Sequence, residues 1–332
     1  MFIRKIRKLS EEAALRPISA VHALALANAR DGEEFWALLD GADRLRVKFR
    51  GAAVSLCSIV NAKSGRCGED CAFCAQSARF HTDIEKYGFV GAQKILDAAS
   101  RAAAAGAREF SIVVSGRRIR DAELDEALEA IPRIATQTGM SACASLGVIG
   151  ERDLGRLKDA GLRMFHHNLE TAASFYPKIC TTRTYESNRE TVAVAKRCGL
   201  FVCSGGIFGM GETWEQRIEL LMDLRDLDVD SVPINFLNPI PGTPLAEKKS
   251  LTPRECLKII ALARHILPAK QIVVCGGREV NLRDMQSLIF HAGASAMMIG
   301  DYLTTKGRDP RADRRMLEDL GLPVKENLMP AP

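Results

Sequence analysis

The feature that most constrains the fold is a repeated alternation of short apolar runs with longer helical patterns. Eight runs have the length and composition of strands: residues 54–61, 109–115, 141–147, 164–169, 201–207, 231–236, 271–275 and 296–299. Helical patterns lie between them at residues 92–105, 122–136, 186–198, 213–227, 252–266 and 282–292. Eight such units favour a closed parallel barrel over a doubly wound sheet. We therefore predict an α/β fold, a (β/α)8 TIM-type barrel.

The residues before the first strand follow a different pattern. An Ala- and Leu-rich helical stretch begins near Ser10, Gly32 interrupts it, and a second helix is expected at residues 33–46. No linker-like segment divides the rest of the chain. The sequence thus predicts an N-terminal helical extension over residues 1–50, the barrel over residues 51–320, and a C-terminal tail over residues 321–332.

Charge and composition exclude several classes of partner. The 46 Lys and Arg residues against 41 Asp and Glu give a net charge of +5, which is too small to indicate binding to nucleic acid or a membrane surface. Aromatic residues make up 6% of the chain, and no apolar run approaches the roughly 20 residues of a membrane helix. The basic N-terminus lacks an apolar signal core. These observations predict a cytoplasmic protein.

Ten cysteines are unusual in such a chain and suggest metal or redox chemistry. Three of them, Cys67, Cys71 and Cys74, form a CxxxCxxC cluster directly after the first strand, and Phe73 precedes the last one. Three thiolates on a short loop can bind three irons of a 4Fe–4S cluster, whereas zinc generally takes four ligands. The fourth iron is then open to the amino and carboxylate groups of a small molecule. This pattern is typical of radical S-adenosylmethionine enzymes.

A glycine-rich segment after the fifth strand supports the same interpretation. Ile207, Gly209 and Glu212 fit the GxIxGxxE pattern that lies against the adenine in this superfamily. Glycine there lets the backbone approach a flat ligand closely, and a carboxylate is favoured at a helix start. Ser115 and Gly116 end the second strand, where the methionine amino group is expected to bind.

Further segments make the chain resemble the biotin synthases from about residue 50 to about residue 320. They are NAKSG at 61–65, AQSAR at 75–79, HNLET at 167–171, TTRTY at 181–185, CSGG at 203–206, VPIN at 232–235, GTPL at 242–245 and GGRE at 276–279. The resemblance implies a radical sulfurtransferase that inserts sulfur into dethiobiotin. It also implies S-adenosylmethionine, a 4Fe–4S cluster, an electron donor such as flavodoxin or ferredoxin, and a homodimer. Two alternatives are another radical enzyme of this branch, a maturase or mutase, and a non-catalytic iron–sulfur sensor.

The resemblance also implies an auxiliary iron–sulfur cluster as the sulfur donor, and here the chain departs from the usual pattern. The four ligand positions carry Ser111, Cys143, Cys203 and Val273, so two ligands are missing. Cys275 lies two residues beyond Val273 and so faces the same side of its strand. We expect Cys143, Cys203, Cys275 and, from the loop after the fourth strand, Cys180 to hold a cluster of the 4Fe type rather than 2Fe–2S. The role of Cys57 is left open.

Polar residues at other strand ends are candidates for ligand contacts. Asn168 and Glu170 lie two residues apart on the fourth strand, so both can face the cavity. By resemblance, Asn168 and Asn235 contact the substrate ring, and Glu170 contacts the ribose of S-adenosylmethionine. An arginine that would bind the methionine carboxylate is replaced here by Asn188. We expect the neighbouring Arg189 to take that role.

Overall fold

A computed structural model of the chain describes residues 2–325 and contains a closed parallel barrel. The strands are β1 (Ser55–Lys63), β2 (Glu109–Val114), β3 (Ser141–Ser145), β4 (Met164–His166), β5 (Phe201–Cys203), β6 (Gly206–Phe208), β7 (Ser231–Phe236), β8 (Gln271–Val274) and β9 (Ala296–Met298). Each strand pairs in parallel with its neighbour around the ring, β1 pairs with β9, and β7 pairs with both β5 and β6. The predicted barrel is therefore confirmed.

Helices cover the outside of the barrel. They are α1 (Phe2–Ala13), α2 (Ala20–Ala27), α3 (Glu33–Arg50), α4 (Ala92–Ala104), α5 (Asp121–Thr138), α6 (Glu151–Asp159), α7 (Tyr185–Arg197), α8 (Trp214–Asp226), α9 (Pro253–Ile266), α10 (Arg278–Leu282) and α11 (Pro310–Asp319). Two short 3-10 helices span Tyr176–Lys178 and Arg283–Ile289. Thr184, Thr213 and Thr252 are the N-cap residues of α7, α8 and α9. Each threonine side chain accepts a backbone hydrogen bond from the first turn of its helix.

The structure differs from the sequence prediction at six elements. Two of the differences are that β4 ends at His166 rather than at residue 169 and that α11 was not expected. The fifth predicted strand is divided into β5 and β6, and between them Gly205 lies so close to the Pro233 carbonyl that a Cβ would be 2.1 Å from its oxygen. Helix α6 was not predicted, since its nine residues are mostly polar. The helix expected at 282–292 is instead α10 followed by a 3-10 helix. The N-terminal extension has three helices where two were expected.

The alternation of side chains along the strands separates two environments. On β2, Phe110 and Ile112 belong to the large apolar core between the strands and the outer helices. Val113, on the opposite face, lines the cavity inside the barrel. A chain segment after the last helix also contacts the barrel, because Val54 donates a backbone hydrogen bond to Pro323 and accepts one from Lys325. Residues 326–332 of the predicted tail lie outside the described residues. Among residues 2–325, no helix combines the length and the apolar character needed to cross a membrane.

Candidate active site

A cavity of about 380 Å³ lies at the carboxyl ends of the strands, where β/α barrels place their ligand sites. Eleven of the residues singled out from the sequence line it: Cys67, Cys71, Phe73, Cys74, Ser115, Gly116, Asn168, Glu170, Ile207, Asn235 and Cys275. The loop after β1 and five other parts of the barrel therefore contribute side chains to one space. Such convergence of polar groups in a single concave site is typical of an active site.

The three-cysteine loop is folded back on itself at the mouth of this cavity. The Cys67 N–H donates to the Gln76 carbonyl at 3.0 Å, and the Ala78 N–H donates to the Cys67 carbonyl at 2.7 Å. The Cys74 N–H donates to the Cys71 carbonyl at 2.9 Å. These bonds hold the turns of the loop, and the three cysteines line the cavity.

The loop is also anchored to the segment after the fourth strand. The Asp70 carboxylate accepts hydrogen bonds from the backbone N–H groups of Thr181 and Thr182 at 2.9 and 3.2 Å and from both threonine hydroxyls. Burial opposes ionisation of Asp70, but these hydrogen bonds prevail and hold its pKa well below the usual range. The Ala72 N–H donates to the Ile179 carbonyl at 2.8 Å. The position of the cysteine loop therefore depends on contacts more than a hundred residues away in sequence.

Cys180 lies in this anchoring segment, beside the three-cysteine loop. Its thiol packs in the same apolar cluster as Cys71 and lies 3.6 Å from the Thr182 hydroxyl. Interaction with the Cys71 thiol lowers the pKa of Cys180 to about 6, whereas it raises the pKa of Cys71. The structure thus brings Cys180 to Cys71 and not to the cysteines of the barrel interior.

The glycine-rich turn between β6 and α8 is organised around Glu212. Its carboxylate accepts hydrogen bonds from the backbone N–H groups of Gly209, Met210 and Gly211 at 2.8, 2.8 and 3.1 Å. It also accepts one from the Arg217 guanidinium at 2.7 Å, and both side chains are buried. Gly209 has a φ of +98°, which favours glycine. Glu212 therefore shapes the turn, while Ile207 is the residue of this segment that lines the cavity.

Glu170 and Arg183 both line the cavity. Burial raises the pKa of Glu170 to about 7, although the positive charge of Arg183 opposes that rise. The Glu170 Oε2 atom is buried and has no hydrogen-bond partner among the described residues. Arg183 donates to the Tyr176 hydroxyl at 3.3 Å. Arg183 was not among the site residues expected from the sequence. The sequence signal that pointed to it was its place in the TTRTY segment at residues 181–185.

Arg189 does not line the cavity. Its guanidinium is half-exposed on α7 and donates to the Asp223 carboxylate of α8 at 2.9 Å. One residue earlier on the helix, Asn188 is buried and bonds to His167 and to Tyr176. The helix thus turns position 188 toward the barrel and position 189 toward solvent, so Arg183 is the arginine that the structure brings to the cavity.

Two asparagines contribute amide groups to the cavity wall. The Asn168 Oδ1 accepts from the Gly205 N–H at 3.2 Å. The Asn235 Oδ1 accepts from the Gly276 N–H at 3.0 Å, and its Nδ2 donates to the Gly206 carbonyl at 3.3 Å. Each amide also retains hydrogen-bonding capacity for a ligand, since an amide can form up to four hydrogen bonds.

Four cysteines face the interior of the barrel, and one of them, Cys275, also lines this cavity. Cys143 and Cys203 pack with Met164, and Cys275 packs with Val273 and Ala296, with Cys57 against that group. Burial raises the pKa of Cys275 to about 12 and places the pKa values of Cys57, Cys143 and Cys203 well above the usual thiol value. These thiols are therefore neutral unless a metal replaces their protons.

The donor sets fit iron–sulfur clusters better than single ions. No group of three or more His, Cys, Asp or Glu side chains within residues 2–325 is arranged to hold one metal ion. A cluster distributes its ligands over several irons, so its cysteines are spaced more widely than the ligands of one ion. The Ser111 Oγ and Glu109 Oε1 atoms are buried in the barrel without a partner among the described residues. Such unsatisfied groups are typical of a space that takes a ligand.

Comparison with known proteins adds independent information. Residues 62–224 match the radical SAM superfamily, and residues 233–323 match the biotin and thiamin synthesis associated domain. Two solved structures share the fold. They are a methylornithine synthase (20% identity, TM-score 0.82, covering 96% of this chain and 97% of that one) and the FeFe-hydrogenase maturase HydG from Carboxydothermus hydrogenoformans (17%, 0.81, 96% and 78%). At these identities the likeness extends to the fold alone.

Sequence relatives are much closer. The biotin synthase of Geobacter sulfurreducens is 56% identical over 297 residues, which cover 89% of this chain and 90% of the relative. The biotin synthase of Anaeromyxobacter sp. (strain K) is 52% identical over 313 residues, or 94% of this chain and 87% of the relative. Identity at this level over nearly the full length of both proteins shows that the chain belongs to the biotin synthase family.

Proposed function

We propose that the protein converts dethiobiotin to biotin by inserting one sulfur atom between two unactivated carbon atoms. The observation that carries this proposal is that one cavity is lined by both kinds of group the reaction needs. The thiols of Cys67, Cys71 and Cys74 lie at its mouth, and Asn168 and Asn235 lie on its wall. The family relationship supports the same reaction, because the relatives are biotin synthases over 90% and 87% of their own length.

In this proposal the three cysteines of the loop hold a 4Fe–4S cluster, and S-adenosylmethionine binds beside it. When bound, these groups supply the one-electron chemistry that removes hydrogen from an unactivated carbon. Phe73, Ser115 and Gly116 contribute one side of the S-adenosylmethionine site, and Ile207 contributes the other. Gly209 and Glu212 keep the turn beside Ile207 in shape.

The charged groups of the cavity orient S-adenosylmethionine. Arg183 replaces Arg189 in our assignment, since its guanidinium lies in the cavity and can bind a carboxylate in two places. Glu170 has a buried oxygen without a partner, which can accept hydrogen bonds from ribose hydroxyls. Because burial raises the pKa of Glu170 to about 7, a positively charged or hydroxyl-rich ligand favours its ionised form.

Sulfur has to be supplied within reach of the substrate. We place an auxiliary iron–sulfur cluster of the 4Fe type below the cavity, among the interior thiols of Cys143, Cys203 and Cys275. Cys275 both lines the cavity and packs into the interior, so it connects the two spaces. Cys180, also expected as a ligand from the sequence, lies beside Cys71 instead.

The surroundings of the reaction are proposed on the resemblance alone. They comprise a flavodoxin or ferredoxin as electron donor, a homodimer and a cytoplasmic location. The boundaries proposed for the N-terminal extension and the barrel are supported by the end of α3 at Arg50 and the start of β1 at Ser55. Another reaction of this branch, by a maturase or a mutase, is less well supported, because both asparagines expected to contact the substrate line the cavity.

The test is a biotin assay on protein purified and reconstituted with iron and sulfide in the absence of air. The protein is incubated with dethiobiotin, S-adenosylmethionine and a low-potential reductant, and biotin is measured by mass spectrometry. We expect biotin from the wild type and none from Cys74→Ala, which lacks a ligand in the loop. Cleavage of S-adenosylmethionine by the wild type without any biotin would contradict the proposal and would favour another reaction of the branch.

A further inference from the structure

Cys57 faces the interior of the barrel, although the proposed reaction assigns it no role. On β1, the preceding Leu56 belongs to the core outside the barrel, whereas Ile59, two residues beyond Cys57, lines the inner cavity. Strand alternation therefore turns Cys57 inward. Its thiol lies 3.9 Å from the Met297 carbonyl and packs with Cys275.

The strand register places Cys57 at the same height as two of the interior cysteines. Cys57 is opposite Glu109, and Cys143 is opposite Ser111 two residues farther along β2. In an eight-stranded β/α barrel the strands are tilted, so a layer of inward side chains advances by roughly one residue per strand and takes one residue from each alternate strand.

Following that rule around the barrel gives one layer of four residues. It consists of Cys57 on β1, Cys143 on β3, Cys203 on β5 and Val273 on β8. Val273 cannot bind a metal, but Cys275 follows it by two residues on the same face, one layer nearer the cavity. Four alternate strands thus each direct one thiol into the same space.

Charge and hydrogen bonding agree with this convergence. Cys143, Cys203 and Cys275 are buried, and the half-buried Cys57 packs against the group that contains Cys275. Four thiolates cannot be buried together without a cation to balance them. The partnerless oxygens of Glu109 and Ser111 face the same interior, as expected for a space built around an absent group.

We infer that Cys57 is the fourth protein ligand of the auxiliary cluster, together with Cys143, Cys203 and Cys275. The inference rests on the proposed function, since it concerns the cluster that supplies sulfur. It leaves Cys180 outside this set, because Cys180 packs with Cys71 in the outer apolar core and not with the interior cysteines. Iron binding would replace the proton of Cys57, and the positive charge of the cluster core would offset part of the charge of the four thiolates.

Iron content tests this assignment without relying on activity. Wild type, Cys57→Ala, Cys180→Ala and Cys256→Ala are reconstituted without air, and iron and sulfide are counted and examined by Mössbauer spectroscopy. Cys256 is a matched control, because it is fully buried on α9 outside the barrel interior. We expect about eight irons per chain in the wild type and both controls, and about four in Cys57→Ala. Those four should belong to the loop cluster and should still support S-adenosylmethionine cleavage.

The outcomes separate this inference from the proposed function. Full iron content in Cys57→Ala, with loss in Cys180→Ala, would overturn the assignment while leaving the auxiliary cluster in place. About four irons in the wild type itself would contradict the proposed function as well. The second variant is Cys57→Ser, which keeps the shape of the side chain and replaces the thiol by a smaller hydroxyl. An altered auxiliary Mössbauer signal in a protein that melts at the wild-type temperature supports ligation, whereas an unchanged signal refutes it.

Discussion

Replacing Glu212 by glutamine should destabilise the protein through the turn that follows β6. The carboxylate accepts three backbone N–H groups and the Arg217 guanidinium, and the whole set is buried. A glutamine has one acceptor oxygen and no charge, so Arg217 and at least one N–H lose their partner. Breaking a buried ion pair by removing one member costs about 3–5 kcal/mol. With an unfolding entropy of about 2 cal/mol/K per residue over 332 residues, the melting temperature should fall by about 5 °C.

The assay is thermal unfolding of the cofactor-free protein followed by circular dichroism. Glu215→Gln is the matched control, because Glu215 is an exposed residue on the first turn of α8, three residues after Glu212. This substitution should change the melting temperature by less than about 1 °C. The turn also positions Ile207 beside the proposed S-adenosylmethionine site, so binding of that ligand should weaken together with stability. Equal melting temperatures for Glu212→Gln and Glu215→Gln would refute the claim that Glu212 organises the turn.

Three further predictions concern other parts of the chain. Arg183→Gln should weaken S-adenosylmethionine binding by about 10- to 100-fold in calorimetry, whereas Arg189→Gln should change it by less than about twofold; the reverse order would restore Arg189 to the site. Asp70→Asn removes the charge that holds the loop anchor, so a chelator should extract iron from it faster than from the wild type, and equal extraction rates would count against the anchor. A hydrogen bond with Asp43 raises the pKa of His291, so its stabilisation is present at low pH and lost as the pH rises through the folded-state pKa. His291→Gln should therefore reduce the fall in melting temperature between about pH 6 and pH 8, and an unchanged fall would exclude this contribution.

The barrel and much of the cavity could be predicted from the sequence because their signals are local. Short apolar runs give the strands, and the spacing of Cys67, Cys71 and Cys74 indicates their shared loop. Asn168 and Glu170 line the cavity, as expected, but not through strand alternation. Strand β4 ends before them at His166, and Glu170 has a φ of +72°. These inferences need only the sequence near each residue.

The positions that escaped prediction depend on contacts between distant segments. Cys180 lies near the cysteine loop because Asp70 of that loop binds the segment that contains Cys180. No local sequence pattern predicts a hydrogen bond between residues 111 positions apart. Whether position 183 or 189 supplies the arginine depends on where α7 begins and which face it turns inward. Cys57 could not be assigned from its strand alone, because its layer is set by the register of all the strands.

The most direct test of the proposed sulfur source is a single turnover with labelled sulfur. The auxiliary cluster is reconstituted with radioactive sulfide, excess sulfide is removed, and dethiobiotin, unlabelled S-adenosylmethionine and reductant are added without air. If the sulfur comes from the cluster inside the barrel, the wild type should form labelled biotin and Cys57→Ala should form none. Biotin that forms without the label would contradict a sulfur source held by the interior cysteines.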